Sequence, residues 1–173
     1  MKPWAELDGL RCGELAALIE KAPIIYVPNG IYEWHDEQNP MGLDTIKVVD
    51  MAKRAARLTG GALHMPLYVG AGAFYGKTGP LKHGGINFEE GFVKEFLIKL
   101  YEQLEALGFE LIVVLYGHTN IENINAHELS AVEYMQRQDT RTRVFVLSEG
   151  APIIKHGADK VADHAAKWET SFM

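Results

Sequence analysis

The sequence predicts an α/β fold on a mostly parallel sheet, and three observations predict it. Short strand-like apolar runs alternate with segments of helical period along all 173 residues. Leu111 to Tyr116 is apolar throughout, the pattern of a strand covered on both faces. Glycine or proline closes most of these segments, as at Pro28-Asn29-Gly30, Gly60-Gly61 and Gly108. Strands that alternate with helices need crossover connections, which favour parallel strands in a layered sheet. With no repeat, low-complexity tract or linker, residues 1–173 read as a single domain.

The elements follow in order. Leu10 to Glu20 carries Leu15, Leu18 and Ile19 at helical spacing. Pro23 to Val27 is a buried strand, and a polar loop runs on to about Met41. Asp44 to Thr59 is a helix with Ile46, Val49, Met51, Ala52 and Ala56, ended by two glycines. Ala62 to Val69 reads as a strand, and Gly70 to Gly85 as a glycine-rich loop long enough to suggest function. Asn87 and Glu90 have the spacing of a capping box for a helix that reaches Leu107 and stops at Gly108. Phe109 to Tyr116 is a strand, Ile121 to Gln138 a helix and Arg143 to Leu147 a strand. The rest is loop-like, with a helical turn near His164 to Met173.

Composition narrows the function. The hydrophobic fraction is 47% and the charged fraction 23%, values of a folded chain rather than a disordered one. The net charge of −6, with no basic stripe, argues against a nucleic acid or an anionic membrane as partner and leaves room for cations. No apolar run is long enough to span a bilayer, and no leader-like segment follows Met1-Lys2-Pro3-Trp4. Cys12 is the lone cysteine, which suits a reducing compartment, so the expected location is the cytoplasm.

The residues that carry chemistry gather near predicted strand ends, where ligands bind in sheets of this kind. Glu33 and His35 follow the first predicted strand and are two apart, so in extended chain they share a face. Asp44 opens the next helix, where it is either an N-cap or a bridging carboxylate. His118 lies two residues past the central strand, as a structural histidine or a ligand. Carboxylates and imidazoles in this combination suit zinc, manganese or iron. His164 and Glu169 come late, on what reads as a solvated helical face. His64 reads as structural, His127 as exposed on its helix, and His83 as a surface or substrate-touching residue.

These motifs resemble the creatininase (creatinine amidohydrolase) family. Val27-Pro28-Asn29-Gly30-Ile31-Tyr32-Glu33-Trp34-His35 is similar to its strand, glycine, then Glu-x-His. Gly42-Leu43-Asp44-Thr45 resembles its glycine-x-Asp-x entry into a helix, and Tyr116-Gly117-His118 its Asn-Gly-His turn. His164 with Trp168-Glu169-Thr170-Ser171 resembles its late His, then Glu-Thr-Ser. The matches keep the family's order and cover nearly the whole chain.

The resemblance implies a three-layer α/β/α fold and a metal-dependent hydrolase that cleaves a C–N bond of a small, possibly cyclic, amide. It implies two divalent ions per chain, one on Glu33, Asp44 and His118, the other on His35 and Asp44, with Asp44 bridging. His164 would transfer protons, and Glu169 would support the site or complete the second ion's shell. A homo-oligomer, hexamers included, is the implied assembly. Other relatives act on formamides or on cyclic sugar-derived ketones, and a non-catalytic metal-binding or assembly subunit is the competing class. The chain departs from the pattern in having Asn120 where creatininase has a second carboxylate, Tyr116 for the turn's asparagine, Lys167 between His164 and Glu169, and no usual C-terminal extension.

Overall fold

The computed structural model describes residues 3–73, 84–137, 139–151, 164–165 and 167–171. Its elements are β1 (Trp4–Glu6), a 3-10 turn (Leu7–Gly9), α1 (Cys12–Lys21), β2 (Ile24–Asn29), β3 (Tyr32–Glu33), α2 (Leu43–Thr59), β4 (Gly61–Leu63), β5 (Gly85–Ile86), α3 (Glu90–Ala106), β6 (Leu111–Tyr116), α4 (Ile121–Met135), β7 (Arg143–Ser148) and α5 (Lys167–Thr170). Five strands form one sheet in the order β1-β4-β2-β6-β7, and every pairing in it is parallel. β3 and β5 make a separate antiparallel pair.

The layers follow from the two-residue period of the strands. Ile25 and Val27 of β2, with Ile112 and Val114 of β6, join the cluster that holds Leu18 of α1, Val93, Leu97 and Tyr101 of α3, and Ala126 and Tyr134 of α4. Ile24, Tyr26, Val113 and Leu115 point the other way, against Val48, Ala52 and Ala56 of α2. Helices therefore cover both faces, the expected three-layer arrangement. Burying a side chain the size of Ile25 or Ile112 fully contributes about 1.5–3 kcal/mol, so the central strands anchor the molecule. The alanines on α2 bring that helix close to the sheet, and with it the residues of its first turn.

Several expected elements differ. The strand expected over Ala62–Val69 leaves the ladder after Leu63. Pro66 has no N–H to give, and the chain rejoins at Leu67, whose N–H bonds the Pro28 carbonyl at 2.9 Å. The Asn87–Glu90 capping box does not form. Asn87 Oδ1 accepts instead from the Ala73 N–H at 3.0 Å, and Glu89 occupies the N-cap of α3 without a side-chain bond. α4 ends at Met135, short of the expected Gln138. His127 is fully buried rather than exposed, and His64 bonds its ring to the Met65 carbonyl at 2.7 Å. His83 lies outside the described residues.

Candidate metal centre

The site lies beyond the carboxyl ends of β2, β6 and β7. After β2 the chain turns at Gly30 and runs extended through β3, which carries Glu33 and leads to His35. Both side chains are buried, at 1% and 0% exposure. α2 begins at Leu43 with Gly42 at its N-cap, so Asp44 is inside the first turn and does not cap the helix. Its carboxylate turns inward, and a negative group there is also favoured by the helix dipole. His118 follows β6, and Glu149 follows β7. α5 brings Glu169 over the cluster, with Asn39 Nδ2 donating to Thr170 Oγ1 at 2.9 Å to tie the segment down.

The sequence candidates meet in three groups, of which two share Asp44 (Glu33, Asp44 and His118; His35, Asp44 and Glu169) and the third joins Glu33, His35 and His164. Within each, one donor atom per residue lies within 4.8 Å of the others. His118 Nδ1 is 3.2 Å from Glu33 Oε2 and 3.3 Å from Asp44 Oδ2. His35 Nε2 is 3.3 Å from Asp44 Oδ1 and 3.6 Å from Glu169 Oε1. His164 stands at the edge, 40% exposed, with Nδ1 3.8 Å from Glu33 Oε2.

Each imidazole is aimed by its other nitrogen. His35 Nδ1 donates to the Glu33 carbonyl at 2.9 Å, His118 Nε2 to the Gly72 carbonyl at 3.3 Å, and His164 Nε2 to the Trp34 carbonyl at 3.1 Å. The nitrogen turned to the cluster is thereby fixed in all three, the usual outer support of metal-binding histidines. His35 Nε2 and Asp44 Oδ2 are buried yet make no hydrogen bond among the described residues. Buried donors without partners are costly, and here they converge on a common space. A divalent cation fits this donor set.

Backbone and buried amides hold the two strand ends in place. Asn123 Nδ2 donates to the His118 carbonyl at 2.7 Å, while its Oδ1 accepts from the Ala71 N–H at 3.2 Å. His127 Nδ1 donates to the Asn123 carbonyl at 2.7 Å, which leaves Nε2 to accept from Asn29 Nδ2 at 2.9 Å. Burial pushes His127 down to about 4, so it is a neutral hydrogen-bonding strut. A Cβ at Gly30 would lie 2.5 Å from the Thr45 nitrogen, and one at Gly117 2.0 Å from the Asp44 carbonyl oxygen. The first turn of α2 therefore rests directly on the backbone of both strand ends.

Two charged residues in the cluster escaped the sequence reading. Lys47, one turn beyond Asp44, is buried with Nζ 2.7 Å from Glu149 Oε1, 2.8 Å from Glu169 Oε1 and 3.3 Å from Asp44 Oδ1. The signal available was its i+3 spacing from Asp44, and for Glu149 its place just past a strand end. Asn120, in turn, adds no donor to the cluster: its side chain accepts from the Glu122 N–H at 3.0 Å and caps α4.

Burial weighs against the charges of His35, His118, Asp44, Glu169, Glu149 and Lys47, and their partners decide the balance. It would lower His35, but Asp44 and Glu169 outweigh it and push the ring up to about 10. His118 rises to about 10 in the same way, through Asp44 and Glu33. Burial would raise Asp44, yet the two imidazoles and Lys47 hold it well below the usual carboxylate range. Burial would raise Glu169 too, and His35 and Lys47 bring it down. At Glu149 burial wins over Lys47, and the carboxyl rises to about 7. Lys47 is raised, because Glu149 and Asp44 overcome the cost of burying its ammonium.

Fold and donor set together define a parallel α/β protein with a carboxylate–imidazole cation site at the carboxyl edge of its sheet. The chain belongs to the creatininase family, whose model, described as creatinine amidohydrolase, matches residues 9–173. Similar solved structures include "Creatininase Mn" at 18% identity and TM-score 0.73, covering 96% of this chain and 70% of that one. A mutant creatininase of "Zn-Zn type" is similar at 19% identity and TM-score 0.73, and a mutant creatininase complexed with creatine at 20% and 0.72, with the same coverage. No curated protein sequence matches. Among the described residues, no helix is long and apolar enough to cross a membrane.

Proposed function

We propose that this protein is a metal-dependent hydrolase that cleaves a C–N bond of a small, possibly cyclic, amide. The observation that carries the reading is the convergence of two donor groups on a shared Asp44, with His35 Nε2 and Asp44 Oδ2 buried and aimed at the same space. Glu33, Asp44 and His118 form the first binding group, and His35, Asp44 and Glu169 the second. Together they offer places for two ions, of zinc, manganese or iron. A divalent ion held there would acidify water toward neutral pH and polarise a substrate carbonyl.

The chain's own residues do the remaining work. Glu33 and Asp44, both buried, would hold the cation, and their position would set where a carbonyl could be polarised. The Gly72 and Glu33 carbonyls hold the rings of His118 and His35. His164 reaches the cluster from its solvent side, so it receives the proton from the attacking water and gives it to the leaving nitrogen. Assistance of this kind is typically worth about 10²–10⁴-fold in rate. Gly72, whose carbonyl accepts from His118, also lines an open cleft of about 490 Å³ with Asn87, Phe88 and Asn120, and no residue of the donor groups lines that cleft.

The test is metal content and turnover on protein purified without chelators, using small cyclic amides, formamides and cyclic sugar-derived ketones as the panel. Metal-dependent turnover of a cyclic amide that disappears in Glu33→Gln and His118→Ala supports the proposal. Full activity in a metal-depleted sample would overturn it. A homo-oligomer belongs to the same proposal. Phe145, 56% exposed on the edge strand β7, is an apolar side chain that such an assembly would cover, and light scattering tests the assembly.

A further inference from the structure

The ammonium of Lys47 is inside the candidate centre, and its place there is specific. It is one turn from Asp44 on α2, and its side chain is only 3% exposed. Of the three donors of the second group, it touches two. Its Nζ is 2.8 Å from Glu169 Oε1 and 3.3 Å from Asp44 Oδ1, while the third, His35 Nε2, lies 3.6 and 3.3 Å from those same oxygens. The first group meets Asp44 through the other oxygen, Oδ2, on the side facing His118.

A zinc-type ion needs its carboxylate oxygens at about 2.0–2.2 Å. On Asp44 Oδ1 and Glu169 Oε1 it would set a double positive charge beside a fixed single one that shares both oxygens. Away from bulk water such like charges repel strongly. Nor can Lys47 move aside cheaply. It is bound at 2.7 Å to Glu149, whose other oxygen is buried and makes no hydrogen bond among the described residues. Removing its counter-charge would leave a buried carboxylate uncompensated. Asn120, committed to capping α4, supplies no replacement donor.

We propose that the Lys47 ammonium takes the place of a second metal ion, so that each chain holds one divalent ion, at Glu33, Asp44 and His118. The inference rests on the metal-hydrolase reading and goes beyond it by assigning the second subsite to a residue of the chain itself. Lys47 is then a positioning residue. Its charge holds Asp44 and Glu169 in the geometry that an ion would otherwise impose, and Asp44 Oδ2 stays free for the first group.

The experiment is a calorimetric titration of metal-free protein with zinc and with manganese, paired with elemental analysis after dialysis. It compares the wild type with Lys47→Met and Lys47→Arg. We expect one equivalent in the wild type and in the arginine variant, and a second equivalent in Lys47→Met. Metal should also raise the Tm of Lys47→Met more than that of the wild type, because the methionine variant leaves its carboxylates without a cation until metal arrives. Two comparable equivalents in the wild type would overturn the role of Lys47 and leave the hydrolase reading standing. A folded Lys47→Met that still takes one equivalent would do the same. If Lys47→Met does not fold, the wild-type stoichiometry decides. No uptake by any folded form would overturn both readings.

Discussion

The two donor groups that share Asp44 are built alike and furnished differently. Each combines carboxylate oxygen with one imidazole nitrogen, and each imidazole is aimed by a backbone carbonyl. Around His118, the shared aspartate offers an oxygen with no hydrogen-bond partner among the described residues. Around His35, the corresponding oxygen already faces the Lys47 ammonium at 3.3 Å. Identical ligand chemistry therefore does not make two equivalent cation sites. The neighbour that arrives on the same helix decides which of them is open.

The largest effect should come from erasing what the groups share. Asp44→Asn removes a charge from both and leaves Lys47 and two imidazoles facing one another. We expect metal affinity to fall by more than the roughly 10–100-fold that loss of an outer supporting partner costs, as read by equilibrium dialysis. The next pair separates the groups. His118→Ala should abolish metal retention, whereas His35→Ala should keep close to one equivalent by elemental analysis. If both lose metal equally, the groups are equivalent after all.

pH sharpens the comparison from another side. In the metal-free chain, His35 and His118 are raised from 6.5 to about 10. Folding therefore tightens their hold on protons. That stabilisation is complete below about 6.5 and is lost as pH rises through about 10. Glu149, raised from 4.5 to about 7, adds a loss of the same sign between those values. Asp44 and Glu169 are depressed, so their contribution is present above their ordinary values of 3.8 and 4.5 and is lost as pH falls. Thermal melts of metal-free protein should show a stability maximum in mildly acid solution and a decline toward pH 10. Added zinc should remove only the His118 share of that alkaline decline, because metal and proton compete for its Nδ1 while His35 holds no ion.

Smaller effects test the scaffold. Gly117→Ala forces a Cβ against the Asp44 carbonyl and should cost about 1–3 kcal/mol in denaturant melts, with weakened metal binding. Asn120→Ala removes only the cap of α4. It should cost about 0.5–2 kcal/mol and leave the metal content unchanged.

Much of this arrangement was legible in the chain, for reasons that can be named. Two-residue spacing put Glu33 and His35 on one side of an extended segment, and the apolar run before Gly117-His118 marked a central strand end. α1 and α2 follow from hydrophobic period, and the central strand from an unbroken apolar run. What escaped depended on partners far away in sequence. Lys47, between Ile46 and Val48, looks like the polar side of any amphipathic helix until Asp44 is known to face inward. Glu149 became a neighbour only because β6 and β7 pair in register, with Tyr116 opposite Ser148. His127, read from sequence only as an exposed helical residue, is held inside by Asn29 and Asn123. β1 and β3 span too few residues to show any alternation.

The close seating of α2 on Gly30 and Gly117 bears on what would move the shared aspartate. A carboxylate whose helix is seated by backbone-on-backbone contact keeps its position whatever its neighbouring side chains do to its charge, since a larger residue at either contact would push against the first turn of the helix. Moving that one oxygen pair would take a change in the backbone of the strand ends themselves.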